Sequence, residues 1–378
     1  MSSNIRQHKH IVIGAEHYNP LGIVRTLGEN GISPVVIVIK NNRPITSQST
    51  YIWTLHFVDS LDGGVDLLLN KYGNEVEKPF VYTSDDQAAS RFDLMYDELK
   101  DKFYFFNAGK QGRLSFYMNK FNLCELAKKH GIPLAKTWVV NKGEIPNDIE
   151  YPIITKAIIS TIDNWKNDSF ICNDEEELRK AFTEIRSHQV LLQQYIKKAN
   201  ELCLDGLCVS KGDETFITIA SKYNYLIPDT YSPYMKVFSL KDKNLSDKVA
   251  SMFKEIGFEG IFSMEFLIGP RDELYFLEIN FRNSTWSYAS TCAGMPLPII
   301  WAEGMLGNDI SDRCREIQDP FNAMVEYDDF RYRVRNGKTS ILRWWRDFRN
   351  CKCTYYYDVR DKAPFFSVIK SKIFKGRF

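Results

Sequence analysis

No apolar run in the sequence approaches the ~20 uninterrupted residues of a membrane-spanning helix. The polar start, Met1 to His10, passes straight into a strand without a signal-peptide pattern. Eight cysteines in 378 residues are too sparse for a disulfide framework, and none has zinc-site spacing. Cys351 and Cys353 are too close for a CxxC pair, so reduced thiols in a cytoplasmic setting are expected. Six histidines are present, three of them among the first seventeen residues, and no Ser-His-Asp or Cys-His arrangement stands out. After the first strand, Gly14 is followed by Glu16-His17-Tyr18-Asn19 instead of G-x-G-x-x-G, which argues against a dinucleotide site and a nicotinamide oxidoreductase. There is no internal repeat, no low-complexity tract and no glycine between Gly143 and Gly206.

What is present is ordinary in amount and uneven in distribution. Hydrophobic residues at 44% and charged residues at 26% suit a globular chain. At ~100–200 residues per domain the length allows two or three domains. The net charge of +1 hides a division: residues 331–378 carry +11 and residues 1–330 carry −10.

Lys9 to Ala15 reads as a buried strand, Pro20 to Glu29 as a helix stopped by Asn30-Gly31, and Val35 to Ile39 as a second continuous apolar strand. Phe80 to Thr83 adds a strand and Asp85 to Leu99 a helix, a βαβ alternation that predicts a doubly wound, parallel-sheet domain over residues 1–110. Phe116 to His130 is expected to be one helix. Strands are expected at 136–140, 151–157 and 190–196, and a hairpin at 203–209 with 215–221.

The most informative segment is Ile261 to Arg282. Two apolar, aromatic arms flank Gly269-Pro270-Arg271-Asp272, and a turn centred between Arg271 and Asp272 puts Glu265 opposite Glu278, with Asn280 on the same face. Like charges directly opposed are destabilising, so a cation between them is one reading. Two carboxylates and an amide oxygen are hard ligands that suit Mg²⁺. Solvated glutamates on an exposed face are the other. Lys156 at the end of a strand and Lys120 at the start of a helix, the unfavourable end of the dipole, gain a reason if they meet an anion; singly, each reads as a surface lysine.

The order Lys120, Lys156, Gln193 to Glu201, Glu265 and Glu278-Ile279-Asn280-Phe281-Arg282 resembles the ATP-grasp superfamily over about residues 110–310. The resemblance implies an α/β N-terminal domain followed by an α+β ATP-grasp fold of two subdomains. Residues 111–190 would form the small subdomain, with lysine strand and lid loop, residues 191–310 the subdomain with the metal-binding hairpin, and residues 311–378 a basic, aromatic extension. Lys120 and Lys156 would contact ATP phosphates, and Lys156 would also lie near the adenine. Gln193, Gln194, Tyr195 and Ile196 would present backbone groups to the adenine edge, and Glu201 would bind the ribose hydroxyls. Glu265, Glu278 and Asn280 would hold a pair of Mg²⁺ ions, with Mn²⁺ able to substitute; Arg282, with Lys156, would be catalytic, steadying the phosphoryl group and an acyl phosphate.

Asn19-Pro20-Leu21-Gly22-Ile23-Val24-Arg25, Tyr82-Thr83-Ser84-Asp85-Asp86 and Ala289 to Pro298 further resemble amino-acid ligases of the D-aspartate ligase kind. The implied activity is an ADP-forming coupling of a small-molecule carboxylate to an amine. Two departures stand out. Gln194 occupies a position where relatives usually carry glutamate. Ser160 to Ser169 replaces the glycine-rich loop that supplies N–H groups to phosphates, with Ser160, Thr161 and Lys166 as substitute donors. An ATP-binding module with impaired catalysis, or carboxylate activation for another acceptor, are the alternatives. The basic tail combines its charge with Trp344-Trp345, Phe348, Tyr355-Tyr356-Tyr357 and Phe365-Phe366, which fits either an anionic membrane surface or packing against the acidic body. No nucleic-acid module is visible, and a homodimer is one option for assembly.

Overall fold

The computed structural model describes residues 4–41, 44–157, 169–228 and 230–373. The first sheet is parallel, in the order β3-β2-β1-β4: β1 is His10–Ala15, β2 Val35–Ile39, β3 Thr54–Val58 and β4 Phe80–Thr83. Helix α1 (Tyr18–Glu29) packs Leu21, Val24 and Leu27 against Val12, Val36 and Val38 on one face. Helices α2 (Leu61–Tyr72) and α3 (Asp86–Leu94) cover Ile11, Ile13, Val35 and Ile37 on the other. Burial on both faces is why β1 and β2 read as continuous apolar runs. β3 and α2 gave no such signal, because β3 is an edge strand with Phe57 half exposed. The helix expected from Asp85 to Leu99 breaks at Met95, with α4 (Tyr96–Leu99) beyond it.

The helix expected over Phe116 to His130 is also two. After α5 (Arg113–Tyr117), the Asn119 side chain accepts from the N–H groups of Phe121 and Asn122 and starts α6 (Lys120–Lys129) afresh. An antiparallel sheet follows in the order β5-β8-β6-β7, from β5 (Thr137–Asn141), β6 (Ile153–Ala157), β7 (Ile171–Cys172) and β8 (Gln189–Gln194). Helix α7 (Glu175–Glu184) closes its core with Leu178, Ala181 and Phe182. Of the stretch expected to cover the phosphates, residues 160–168 lie outside the described residues.

The largest sheet has the order β13-β12-β9-β10-β11-β14-β15. Its strands are β9 (Asn200–Val209), β10 (Glu214–Tyr223), β11 (Tyr234–Phe238), β12 (Gly260–Ile268), β13 (Leu274–Asn280), β14 (Phe321–Met324) and β15 (Cys351–Thr354). All pair antiparallel except β14 with β15. Helix α8 (Lys243–Ile256) buries Val249, Met252, Phe253 and Ile256 and ends at Gly257, whose φ of 72° favours glycine. Helices α9 (Tyr288–Cys292) and α10 (Leu297–Met305) pack between this sheet and α1.

Residues beyond 310 therefore supply two strands of the same sheet. They continue as α11 (Glu326–Phe330), a π-helical turn at Arg331–Arg335, α12 (Ile341–Arg349) and α13 (Ala363–Ile373). Trp344, Tyr355 and Tyr356 are buried, while Trp345 and Phe366 are exposed. The fully buried Glu326 carboxylate accepts the N–H groups of Tyr355, Tyr356 and Tyr357. Arg25 of α1 reaches Asp361, also fully buried, at 3.0 Å.

Candidate active site

The β12–β13 hairpin sets Glu265 opposite Glu278 and Ser263 opposite Asn280. The route to that register differs from the sequence expectation. The arms pair Phe266 with Phe276 and Ile268 with Leu274, so the turn centres on Arg271, and a bulge beside Glu265 inserts Leu277 and shifts the pairing by one. Without the bulge Glu265 would face Leu277. Bulges re-aim side chains in this way beside functional sites.

On the other side of β12, β9 sets Cys203 opposite Glu265 and Asp205 opposite Ser263. Opposed residues share a face and alternate along each strand. Glu201, Cys203, Asp205, Ser263, Glu265, Glu278 and Asn280 thus crowd one surface. The Glu265 carboxyl is pushed well above the usual carboxylate range, by burial first and then by Glu278 and Glu201. Asn280 Nδ2 donates to Glu265 Oε1 at 3.1 Å, and its Oδ1 accepts from Arg282 at 2.9 Å.

Arg282 leaves the end of β13 and forks onto Asp86 at the start of α3, with bonds of 2.8 and 3.2 Å. The passage after β1 fixes this junction: Asn19 Nδ2 donates to the carbonyls of Ser84 and Asn283, and Asn283 Nδ2 returns a bond of 2.6 Å to Asn19 Oδ1. Asn19 of the first passage and Ser84 and Asp86 of the second thus meet at Arg282 and Asn283, and Thr26, just after the first passage, meets the Thr291 hydroxyl of the third at 2.7 Å. His17, the cap of α1, has its imidazole lowered to about 4 by burial and then by Arg282, and is neutral at physiological pH.

Lys156, on β6, donates to Gln193 Oε1 at 2.7 Å, and Gln193 Nε2 donates to Thr137 at 3.0 Å. Burial lowers the Lys156 ammonium to about 8, with Lys120 pushing the same way and Glu278 opposing. Lys156 is thereby in electrostatic reach of both Lys120 and Glu278. The N–H groups of Gln194 and Tyr195 are spent on the carbonyls of Lys136 and Pro152. Gln193 contributes its side chain, as a support for Lys156. Glu201 lies on β9, which residues 195–199 join to β8, and pairs with Lys198 at 2.7 Å.

Two features went unread in the sequence. Asp205 is fully buried and accepts from Ser284 and Ser287 Oγ, which orders the turn after Arg282. Its signal was available, as a lone charge in the apolar strand Cys203 to Val209. The second is a cavity of about 740 Å³ lined by His17, Tyr18, Tyr231, Asp328, Arg331 and Tyr332 among others. It opens at the C-terminal end of β1, where ligands bind in parallel α/β sheets. The Tyr18 hydroxyl, buried beside Tyr231, has no well-formed hydrogen bond among the described residues.

The described residues contain no cluster of three His, Cys, Asp or Glu side chains poised for a metal on their own. Glu265, Glu278 and the Asn280 amide nevertheless fit a hard divalent cation that keeps phosphate and water in its remaining positions. Their opposed charges and the raised Glu265 carboxyl are what a cation would relieve.

No family model matches the chain. Over 210 residues it is 23% identical to the carbamoyl phosphate synthase large chain of Methanosphaerula palustris, a match covering 48% of this chain and 19% of that much longer protein. Its fold is similar to that of L-amino acid ligase from Bacillus licheniformis (TM-score 0.64, 12% identity, 84% of this chain and 80% of the other). It is similar also to biotin carboxylase from Campylobacter jejuni (TM-score 0.68, 15% identity, 85% and 76%). A third likeness is to N5-carboxyaminoimidazole synthetase from Staphylococcus aureus (TM-score 0.65, 14% identity, 87% and 86%). The chain shares its fold with these solved structures, as the ordered motif set implied.

Proposed function

We propose that the protein is an ADP-forming ligase that joins a carboxylate to an amine at the expense of ATP. One observation carries this reading: opposed Glu265 and Glu278, with Asn280, bounded by Arg282 and within electrostatic reach of Lys156, which Lys120 neighbours. Acids that hold a cation and bases that hold phosphate make a site for a nucleotide–metal complex, the pairing that phosphoryl transfer requires. The S. aureus synthetase similar in fold was solved with ADP.

In this reading Lys156 and Lys120 bind the phosphates, and the Gln193–Thr137 relay keeps the Lys156 ammonium aimed at them. Glu265, Glu278 and Asn280 would hold Mg²⁺, which would supply positive charge against the phosphates. Arg282, held rigid by Asp86, stabilises charge on the phosphoryl group in flight. A carboxylate oxygen displaces ADP from the γ-phosphorus and forms an acyl phosphate. The amine then attacks the carbonyl carbon, phosphate leaves with the C–O electron pair, and the amine loses a proton. The cavity, which reaches the neighbourhood of Arg282 only through His17, receives the carboxylate or amine, and its 740 Å³ exceeds the needs of a single amino acid. Neutral His17, at its rim, adds no charge to compete with Arg282 for the substrate.

A second reading, an ATP-binding module of little activity, is favoured by the glycine-free stretch between Gly143 and Gly206. Mass detection of ADP and phosphate over a panel of carboxylate and amine pairs separates the two. Release that needs both partners, with a matching amide product, supports the ligase. Nucleotide binding without release for any pair supports the module, and bicarbonate-dependent release would redirect the acceptor.

A further inference from the structure

We propose that α12 and the adjoining start of α13 form a docking face for an anionic lipid bilayer. Around α12, Trp344 and Phe348 turn inward: Trp344 stacks on Phe348 and donates to Asp329 at 2.8 Å. The apolar arc continues past them into solvent, where Ile341 is 60% exposed, Leu342 80% and Trp345 52%. A helix packed only against its own protein has no use for that second half of the arc. The patch extends to α13. Ring contacts run from Trp345 through Phe348, Tyr357 and Phe365 to Phe366, which is itself 59% exposed.

The charge around the patch identifies its occupant. Arg343, Arg346 and Arg349 on α12, with Lys338, Lys362 and Lys370 beside it, are exposed. Every acidic side chain of the described residues after Phe330 is withdrawn: Asp347 pairs with Arg333, Asp358 with Arg360, and Asp361 is buried on Arg25. Among the described residues after Phe330, the surface thus offers cations and apolar rings with no exposed carboxylate of its own. Protein interfaces deplete lysine and concentrate their apolar area at the centre. Anionic headgroups attract basic residues while Trp and Leu settle at the acyl boundary. No helix among the described residues is long and apolar enough to cross a membrane, so the face lies on the bilayer. The cavity is lined in part by α13 itself, through Val368 and Ser371.

Full-length protein is co-sedimented with vesicles of pure phosphatidylcholine and of phosphatidylcholine with phosphatidylglycerol, at low and high salt. Binding is expected on the anionic vesicles alone, weakened by salt, and reduced at least tenfold in a Leu342→Glu/Trp345→Glu variant with unchanged thermal unfolding. A separate Arg343→Gln/Arg346→Gln variant should bind less tightly and lose part of the salt dependence. The proposal is overturned by absence of binding at low salt, or by binding that survives the Leu342→Glu/Trp345→Glu change, which would leave charge adsorption alone. It is equally overturned if that change instead abolishes a concentration-dependent dimer seen by light scattering without altering vesicle binding.

Discussion

The molecule withdraws charge from solvent in two places, wholly in one and partly in the other, and treats it in opposite ways. At the junction of α1 with the C-terminal segment, Asp361 accepts from Arg25, Ser49 and both the N–H and hydroxyl of Thr50. The remaining Arg25 bonds go to the carbonyls of Tyr355, Tyr356 and Asp361. That cluster is closed, with one cation, one anion and a donor for each carboxylate oxygen. On the β9–β12–β13 surface, Glu265 faces Glu278 and is further pressed by Glu201, with one amide donor from Asn280. That cluster is open. Withdrawal from solvent differs only in degree, complete at Arg25 and Asp361 and partial at Glu265 and Glu278, and does not by itself separate a structural ion pair from a binding site. What separates them is whether the charge is already answered within the chain.

The sharpest way to break this comparison is to remove one acid from each cluster. Glu278→Ala should bring ATP turnover to background while thermal unfolding stays the same or rises slightly. Relief of directly opposed like charges is worth about 0.2–1 kcal/mol. A folded Glu278→Ala protein that still releases ADP at the wild-type rate would remove the hairpin from the site. Asp361→Ala, in the closed cluster, should instead lower stability by about 3–5 kcal/mol, because it strands a buried guanidinium. Urea unfolding measures this, and an Arg25→Met/Asp361→Leu double change should recover much of the loss.

The smallest effect is the most specific. Lys156→Ala should weaken ATP binding roughly tenfold to a hundredfold, as expected for loss of a hydrogen bond from a charged donor. In the wild type, Lys156 loses its proton near pH 8, and the ammonium is the form that meets phosphate. Affinity should therefore fall as pH rises through about 8, by up to about tenfold per unit, with a proton taken up on binding above that pH. The unliganded fold should gain stability over the same rise, from about 8 towards the ordinary 10.5, because the unfolded chain holds its proton longer. Calorimetry in buffers of different ionisation enthalpy measures the proton uptake, and Lys156→Ala should abolish it.

What could be read beforehand followed from local chemistry. The alternation of Ile261 to Arg282 announced a hairpin, and the apolar runs of β1 and β2 announced a two-sided sheet. The Leu277 bulge was not legible, because nothing in Phe276-Leu277-Glu278 marks an extra residue. The expected register was right at Glu265 and wrong at the turn, two errors of one residue that cancel. The single helix read over 116–130 failed because apolar spacing outweighed the capping signal of Asn119. The cavity was invisible for a different reason. His17, Tyr231, Arg331 and Tyr356 come from widely separated segments, and no spacing rule joins them.

The Arg25–Asp361 bond also constrains how the protein is made. Its partners are 336 residues apart, and α1 cannot bury its guanidinium favourably until the distant aspartate exists. At about 5–20 residues per second on the ribosome, Arg25 waits roughly 20–70 s for its counter-ion. During that interval the residues of β1 to β4 have all been synthesised, but the segment that seals α1 has not. The N-terminal region is then a nascent-chain client for chaperones, and truncation before residue 361 should yield aggregation in place of a smaller working enzyme.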